Sequence, residues 1–303
     1  MKIEYLISIV GPTAIGKTAL SITLAKYFKT EIISADSRQF YKEMKIGTAV
    51  PSSEELSQIK HHFIHHKSIE DNYNVGAFEK EVIQRLDSLF KTHNVVVMVG
   101  GSGLYIDAVT KGLDYFPEID ASVREGLNKR LKTEGLHSLQ NQLKELDIDS
   151  YNKIAIDNPH RVIRALEICI GTGKTYSSFL NKEKVKRNFN VITIGLTADR
   201  ETIYNRINKR VDILLHNGLL NEVKGLKTKQ HFNALNTVGY KELFKHLNGE
   251  WTLDLAISET KKNTRRFAKR QLTWFKKDKS ILWFDHTTDS TTIIEKLKNK
   301  FKT

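Results

Sequence analysis

The stretch GPTAIGKT at residues 11–18 follows the apolar run LISIV without a gap, and this pairing limits the fold more than any other feature of the chain. A strand that ends in a glycine-punctuated loop and opens into a helix turns successive backbone N–H groups inward, which makes a cradle for phosphate oxygens. Gly11, Pro12, Thr13, Ala14, Ile15, Gly16, Lys17 and Thr18 are therefore expected to hold a diphosphate or triphosphate. Lys17 reaches the terminal phosphates in this reading, and the Thr18 hydroxyl holds Mg²⁺.

Further β-rich runs lie at 31–34 (EIIS), 95–99 (VVVMV) and 191–196 (VITIGL), with helical patterns between them over 18–28 and 76–92. Strand and helix in alternation predict the α/β class, here a P-loop NTPase-like parallel sheet core flanked by helices. Ligands gather at the carboxyl ends of such strands. Those ends read GPTAIGKT, ADSRQ, GGSG and TADR, four polar loops on one rim. A nucleotide hydrolase would place an acidic residue after a neighbouring strand to hold Mg²⁺, yet VVVMV runs into Gly100, Gly101 and Ser102. The second strand does lead to a carboxylate, Asp36, whose type and position suit a base, a metal ligand or a turn cap. Beside it Arg38, Gln39, Phe40 and Tyr41 offer a guanidinium, an amide and two rings, a set fitted to an unpaired base. Arg206 and Arg210, four apart on a helix that starts at the TADR rim, are read either as solvated side chains or as guanidiniums held near the P-loop to neutralise a departing diphosphate.

The segment 117–188 has a different character. Val123, Leu127 and Leu131 mark one helix with Gly135 as its stop, and Leu136, Leu139, Leu143 and Leu146 mark another. A third starts with Asn158 as cap and Pro159 in its first turn, and ends at Gly171. The expected organisation is a core of 1–116 and 189–303 with a helical insertion domain of 117–188. After the strand at 191–196 the pattern predicts a helix over 200–217, a turn near Gly239, a long basic helix over 253–277 and a strand ILWFD. The net charge of +13 is concentrated in that basic helix, where 261–279 carries nine Lys or Arg against Asp278 alone, the footprint of a polyanion partner. Phe267, Trp274 and Phe275 share an apolar face with Leu272 and are assigned to the core.

Cys169 is the only cysteine, which rules out an internal disulfide and a thiolate zinc cluster and points to the cytoplasm. No stretch reaches the roughly 18 apolar residues of a membrane helix, and no signal peptide or membrane association is expected. GTGKT at 171–175 is no second P-loop, because Ile168 stands where the leading glycine would be, and HHFIHH at 61–66 matches no known metal-ligand spacing.

Taken together, GPTAIGKT, ADSRQFY, GGSGLYIDA, DNPHRVIRALE, TGK, RINKRVDILLHNGLLNEV, VGYKEL and TRRFAKRQLTWF, in this order across nearly the whole chain, resemble the tRNA dimethylallyltransferase family. The resemblance implies that the P-loop grips dimethylallyl diphosphate and not ATP. It implies transfer of the dimethylallyl group to the exocyclic amine of the adenosine 3′ of the anticodon, in tRNAs reading codons that start with U. Asp36 is carried over as general base and Ser102 as a contact to the bridging oxygen, with Lys17, Arg206 and Arg210 around the leaving group and Mg²⁺ as cofactor. Contact with the tRNA anticodon stem-loop is implied for Asp36, Ser37, Arg38, Gln39 and Ser102, for His160, Arg161 and Arg164 of the insertion, and for Gly239, Tyr240, Arg265, Lys269, Arg270 and Gln271. Four positions depart from the family pattern: Ser102 for Thr, Ile15 for Ser, His160 for Gln and His65 for Asp. A monomer is expected. Competing readings are an adenylate isopentenyltransferase acting on free AMP or ATP, a small-molecule P-loop kinase, and a nucleotide-gated RNA-binding module.

Overall fold

The structure, a computed structural model, describes residues 3–180 and 186–301. The chain divides into two units, one of 1–110 with 187–303 and one of 111–186.

In the first unit the elements run β1 (Tyr5–Val10), α1 (Lys17–Phe28), β2 (Ile32–Ser34), α2 (Ser53–Gln58), β3 (His61–His62), α3 (Val75–Leu89), β4 (Val95–Val99) and α4 (Gly103–Lys111). With β5 (Asn190–Thr197) and β6 (Leu282–Asp285), the six strands of the described residues form one sheet in the order β3-β2-β4-β1-β5-β6, and every pairing is parallel. Strand alternation explains why the strand sequences read as unbroken apolar runs: both faces are covered. Leu6, Val10, Val96 and Met98 face one helical layer with Phe40 and Phe78. Ile7, Ile9, Val95, Val97 and Val99 face the other, with Leu24 and Ile207. Since the chain passes from β1 to β2 over the place that β4 later fills, and β5 then pairs on the far side of β1, the crevice lies at the carboxyl ends of β1, β4 and β5.

The second unit holds α5 (Ala121–Glu134), α6 (Leu136–Leu146), α7 (Ile148–Lys153) and α8 (Pro159–Thr172) around Leu127, Leu139, Leu143, Val162 and Leu166. Its limits differ from the expected 117–188 for local reasons. Phe116 stacks on Tyr176, with centroids 5.1 Å apart, and so packs with the helices that follow it. Arg187 belongs with the sheet, because its Nε donates to the Val109 carbonyl at 2.9 Å and its guanidinium pairs with Glu79. The stop of α8 is Gly173, at φ +67°, and not Gly171, which lies inside the helix.

The chain then returns to the sheet with β5 (Asn190–Thr197), α9 (Arg200–His216), α10 (Leu219–Gly225), α11 (Tyr240–Leu247), α12 (Leu253–Phe275), β6 (Leu282–Asp285) and α13 (Ser290–Lys300). Among the described residues no helix is long and apolar enough to cross a membrane. In the histidine-rich segment His62 bonds Glu31 at 2.5 Å, and His66 sits edge-on to Phe40 and Phe63, where burial pushes its pKa down to about 4.

Candidate active site

The loop after β1 is shaped by its neighbours as well as by its own glycines. A side chain on Gly11, whose φ is +141°, would stand 2.5 Å from the Leu196 carbonyl of β5, so only glycine lets the loop leave the sheet here. Ile15 turns away from the loop and is buried in the sheet core, which gives the cradle an anchor beneath it. Gly16 and Lys17 then start α1, whose first N–H groups and dipole favour an anion. Lys17 Nζ donates to the Pro12 carbonyl at 2.8 Å, lying back across the curl of its own loop.

Two arginines of α9 close the cradle. Arg206 Nε donates to the Ala14 carbonyl at 2.7 Å, and Arg210 Nη2 donates to the Ala49 carbonyl at 3.3 Å. Burial pushes the Lys17 pKa down to about 8, against the pull of Asp36 and with the help of Arg210. Burial also lowers Arg210, again opposed by Asp36. Three cations, Lys17, Arg206 and Arg210, thus gather around the loop, with the Asp36 carboxylate acting on two of them.

Beside the cradle opens a cavity of about 500 Å³. Among the described residues Asp36 is the only acidic one on its wall, beside Thr13, Arg38, Ser102, Arg210 and Gln271. The remaining wall is largely apolar, with Leu104, Tyr105, Ile207, Val211, Leu214 and Leu219. Asp36 Oδ1 accepts the Arg38 backbone N–H at 3.2 Å, which turns the chain after β2 and fixes the carboxylate at the rim. The Ser102 hydroxyl accepts the Ser37 N–H and meets the Ser37 hydroxyl, both at 3.0 Å, so the loops after β2 and β4 are tied together.

Several residues read as RNA contacts have their polar groups engaged inside the fold. Gln271 is buried: its Oε1 accepts the Thr13 N–H and its Nε2 donates to the Gly101 carbonyl, both at 2.9 Å, so it binds α12 to the phosphate loop. Gln39 donates to the Thr48 and Ala49 carbonyls, each at 3.2 Å, and Phe40 and Tyr41 are buried, which takes the amide and both rings out of the expected base-binding set and leaves Arg38 on the cavity wall. Tyr240 is fully buried as the first residue of α11, while Gly239 lines the cavity. Arg265 donates to Asn208 at 2.7 Å, whereas Lys269 and Arg270 are exposed. In the helical unit His160 and Arg161 are exposed, and Arg164 is paired with Glu167 at 2.8 Å.

The expectation that Phe267 and Trp274 belong to the core is overturned. Each keeps 38 % of its surface exposed and lines the cavity; of the three aromatics only Phe275 is buried. Trp274 Nε1 donates to Asp107 at 2.8 Å, which holds the ring on the cavity wall. Gly47, Thr48 and Ala49, and Asn236 to Val238, also line the cavity. These small and neutral residues carry no chemical type or period that the sequence alone could single out.

Residues 39–278 match the family model for IPP transferase. A tRNA dimethylallyltransferase of Christiangramia forsetii is 60 % identical over 300 residues, covering 99 % of both chains. One from Flavobacterium psychrophilum is 56 % identical over 305 residues, again covering 99 % of each. Among solved structures, the tRNA isopentenylpyrophosphate transferase of Bacillus halodurans is similar with a TM-score of 0.72 at 36 % identity, covering 99 % of this chain and 96 % of that one. A eukaryotic dimethylallyltransferase acting on tRNA is similar with a TM-score of 0.82 at 27 % identity, covering 98 % of this chain and 79 % of that one. With the family model matched over 39–278 and near-complete coverage by these relatives, the chain belongs to the tRNA dimethylallyltransferase, or IPP transferase, family.

Proposed function

We propose that the protein transfers the dimethylallyl group of dimethylallyl diphosphate to the exocyclic amine of the adenosine directly 3′ of the anticodon, in tRNAs that read codons starting with U. The observation that carries this reading is the position of Asp36, among the described residues the one carboxylate on a mostly apolar cavity whose end is a triply cationic phosphate cradle. A hydrolase needs acidic metal ligands and an activated water at that place. A prenyl transferase needs a dry apolar wall for the C5 chain, cations for the leaving group and a base for the incoming amine.

The amine of adenine is a weak nucleophile because its lone pair is delocalised into the ring. As the N–C bond forms, the carbon–oxygen bond to the diphosphate breaks and its electron pair stays on the oxygen. The amine proton passes to Asp36, a step for which a positioned base contributes about 10²–10⁴-fold. Lys17, Arg206, Arg210 and the loop N–H groups neutralise the diphosphate as its charge grows. Ser102 places a hydroxyl at the junction of cradle and cavity. Among the described residues no group of three His, Cys, Asp or Glu could hold a metal. Thr18, in the first turn of α1, would be the residue that holds Mg²⁺, which would supply positive charge to the diphosphate.

The target adenosine is stacked in the anticodon loop and must be extruded to reach Asp36. The exposed Lys269 and Arg270 on α12 supply phosphate contacts at the cavity mouth, and His160 and Arg161 supply further ones from the helical unit. The test is incubation with unmodified tRNA, radiolabelled dimethylallyl diphosphate and Mg²⁺. Label is expected in RNA and absent from AMP and ATP offered in parallel. Label in free nucleotide, or brisk ATP turnover with unlabelled RNA, overturns the reading.

A further inference from the structure

Glu222 lies on α10, outside the residues that line the cavity, yet its carboxylate accepts four hydrogen bonds. Oε2 takes the backbone N–H groups of Lys45 at 3.0 Å and Ile46 at 2.8 Å. Oε1 takes the Gly47 N–H at 2.9 Å and the Tyr240 phenol at 2.6 Å. Three consecutive amides aimed at one side chain fix the path of the turn that contains them. The turn is also closed on itself, because Thr48 Oγ1 donates to the Met44 carbonyl at 2.5 Å and the Ala49 N–H to that of Ile46 at 2.9 Å. Ala49 has φ +48°, a conformation that a non-glycine residue keeps only when its surroundings impose it. On the other side, the ring of Tyr240 stands 2.4 Å from where a Gly47 side chain would begin.

What the turn delivers is the Ala49 carbonyl, which accepts Arg210 Nη2 at 3.3 Å and Gln39 Nε2 at 3.2 Å. A half-buried guanidinium needs such an acceptor, and the acceptor's position sets where the remaining N–H groups point. We infer that Glu222, braced by Tyr240, is a positioning residue that acts through the 45–49 turn to hold Arg210 in register with Lys17 and the phosphate loop. The chemistry requires a carboxylate at this place. All four partners are donors, and a glutamine would turn its NH₂ group against at least one of them.

The inference rests on reading the cradle as a diphosphate site, and one set of measurements separates the two. Affinity for inorganic pyrophosphate with Mg²⁺ is measured by calorimetry for the whole protein. Arg210→Ala weakens it about tenfold, as expected for loss of a charged contact. Glu222→Gln also weakens it about tenfold, and Tyr240→Phe about threefold. In the Arg210→Ala background both substitutions change it less than about twofold, because the group through which they act is gone. Multiplied losses of about a hundredfold in Glu222→Gln with Arg210→Ala would overturn the proposal, as would wild-type affinity in both Glu222→Gln and Tyr240→Phe. Unchanged affinity in Arg210→Ala alone would instead refute the diphosphate reading. Thermal unfolding accompanies each variant. Should Glu222→Gln fail to fold, Tyr240→Phe, which keeps the buried ring, decides between the same outcomes.

Discussion

Replacing Asp36 by Asn isolates the chemical step. The Asn carbonyl can still accept the Arg38 N–H that Asp36 Oδ1 accepts at 3.2 Å, so the loop after β2 keeps its shape. What disappears is the proton acceptor, and among the described residues no other acidic one lines the cavity to replace it. Single-turnover transfer of label to tRNA is therefore expected to slow by about 10²–10⁴-fold, equivalent to about 3–5 kcal/mol of barrier. Affinity for tRNA should change by less than about threefold, because few of the phosphate contacts that dominate binding involve this residue. A second readout comes from Lys17. Asp36 is the group that holds the Lys17 charge up against burial, which has already brought its pKa down to about 8. With Asp36 neutral that pKa falls further, and the loss of pyrophosphate affinity that accompanies deprotonation moves to lower pH. A variant that transfers label within about threefold of the wild-type rate refutes the general-base assignment. An unmoved pH profile for pyrophosphate refutes the coupling to Lys17.

Three further outcomes are expected. Replacing Lys269 and Arg270 together by Ala should lower the slope of log affinity against log salt by about 1.4–1.8 for anticodon stem-loop binding, leaving pyrophosphate affinity unchanged; an unaltered slope would remove α12 as an RNA contact. Because the folded-state pKa of Lys17, about 8, lies below its ordinary 10.5, unfolding takes up a proton between these values and the stability of the ligand-free protein rises with pH through that window. Lys17→Met should flatten that rise and lift Tm at pH 7 by roughly 2–5 °C while abolishing transfer, as thermal melts at pH 7 and 9 would register. Gly47→Ala puts a methyl group 2.4 Å from the Tyr240 ring and should cost about 1–3 kcal/mol in denaturant unfolding, together with a loss of pyrophosphate affinity.

The parts of the site written in contiguous residues were legible from the sequence. GPTAIGKT behind an apolar run fixes a strand, a loop and a helix through backbone geometry alone, and the structure has them at Tyr5–Val10 and Lys17–Phe28. Asp36 and Ser102 could be placed on one rim because strands in a parallel sheet end on the same side. Periodicity also located α12, but it reports only which residues share a face, not what that face meets. Gln271 and Trp274 were thus assigned opposite to their surroundings: the amide is locked between Thr13 and Gly101, and the indole stands on the cavity wall. Tyr240 and Gln39 show the same limit, since a polar group looks available in a sequence until its partner is known.

By itself the sequence determined the strand, loop and helix around GPTAIGKT, the parallel sheet and the concentration of positive charge, because each depends on neighbours along the chain or on composition. Only the tertiary structure decided how the cavity is walled and which side chains are free to act. Those outcomes depend on groups far apart in sequence that compete for the same hydrogen bonds, as Glu222 does when it gathers three amides from 45–47 and a phenol from 240 to hold the turn that meets Arg210.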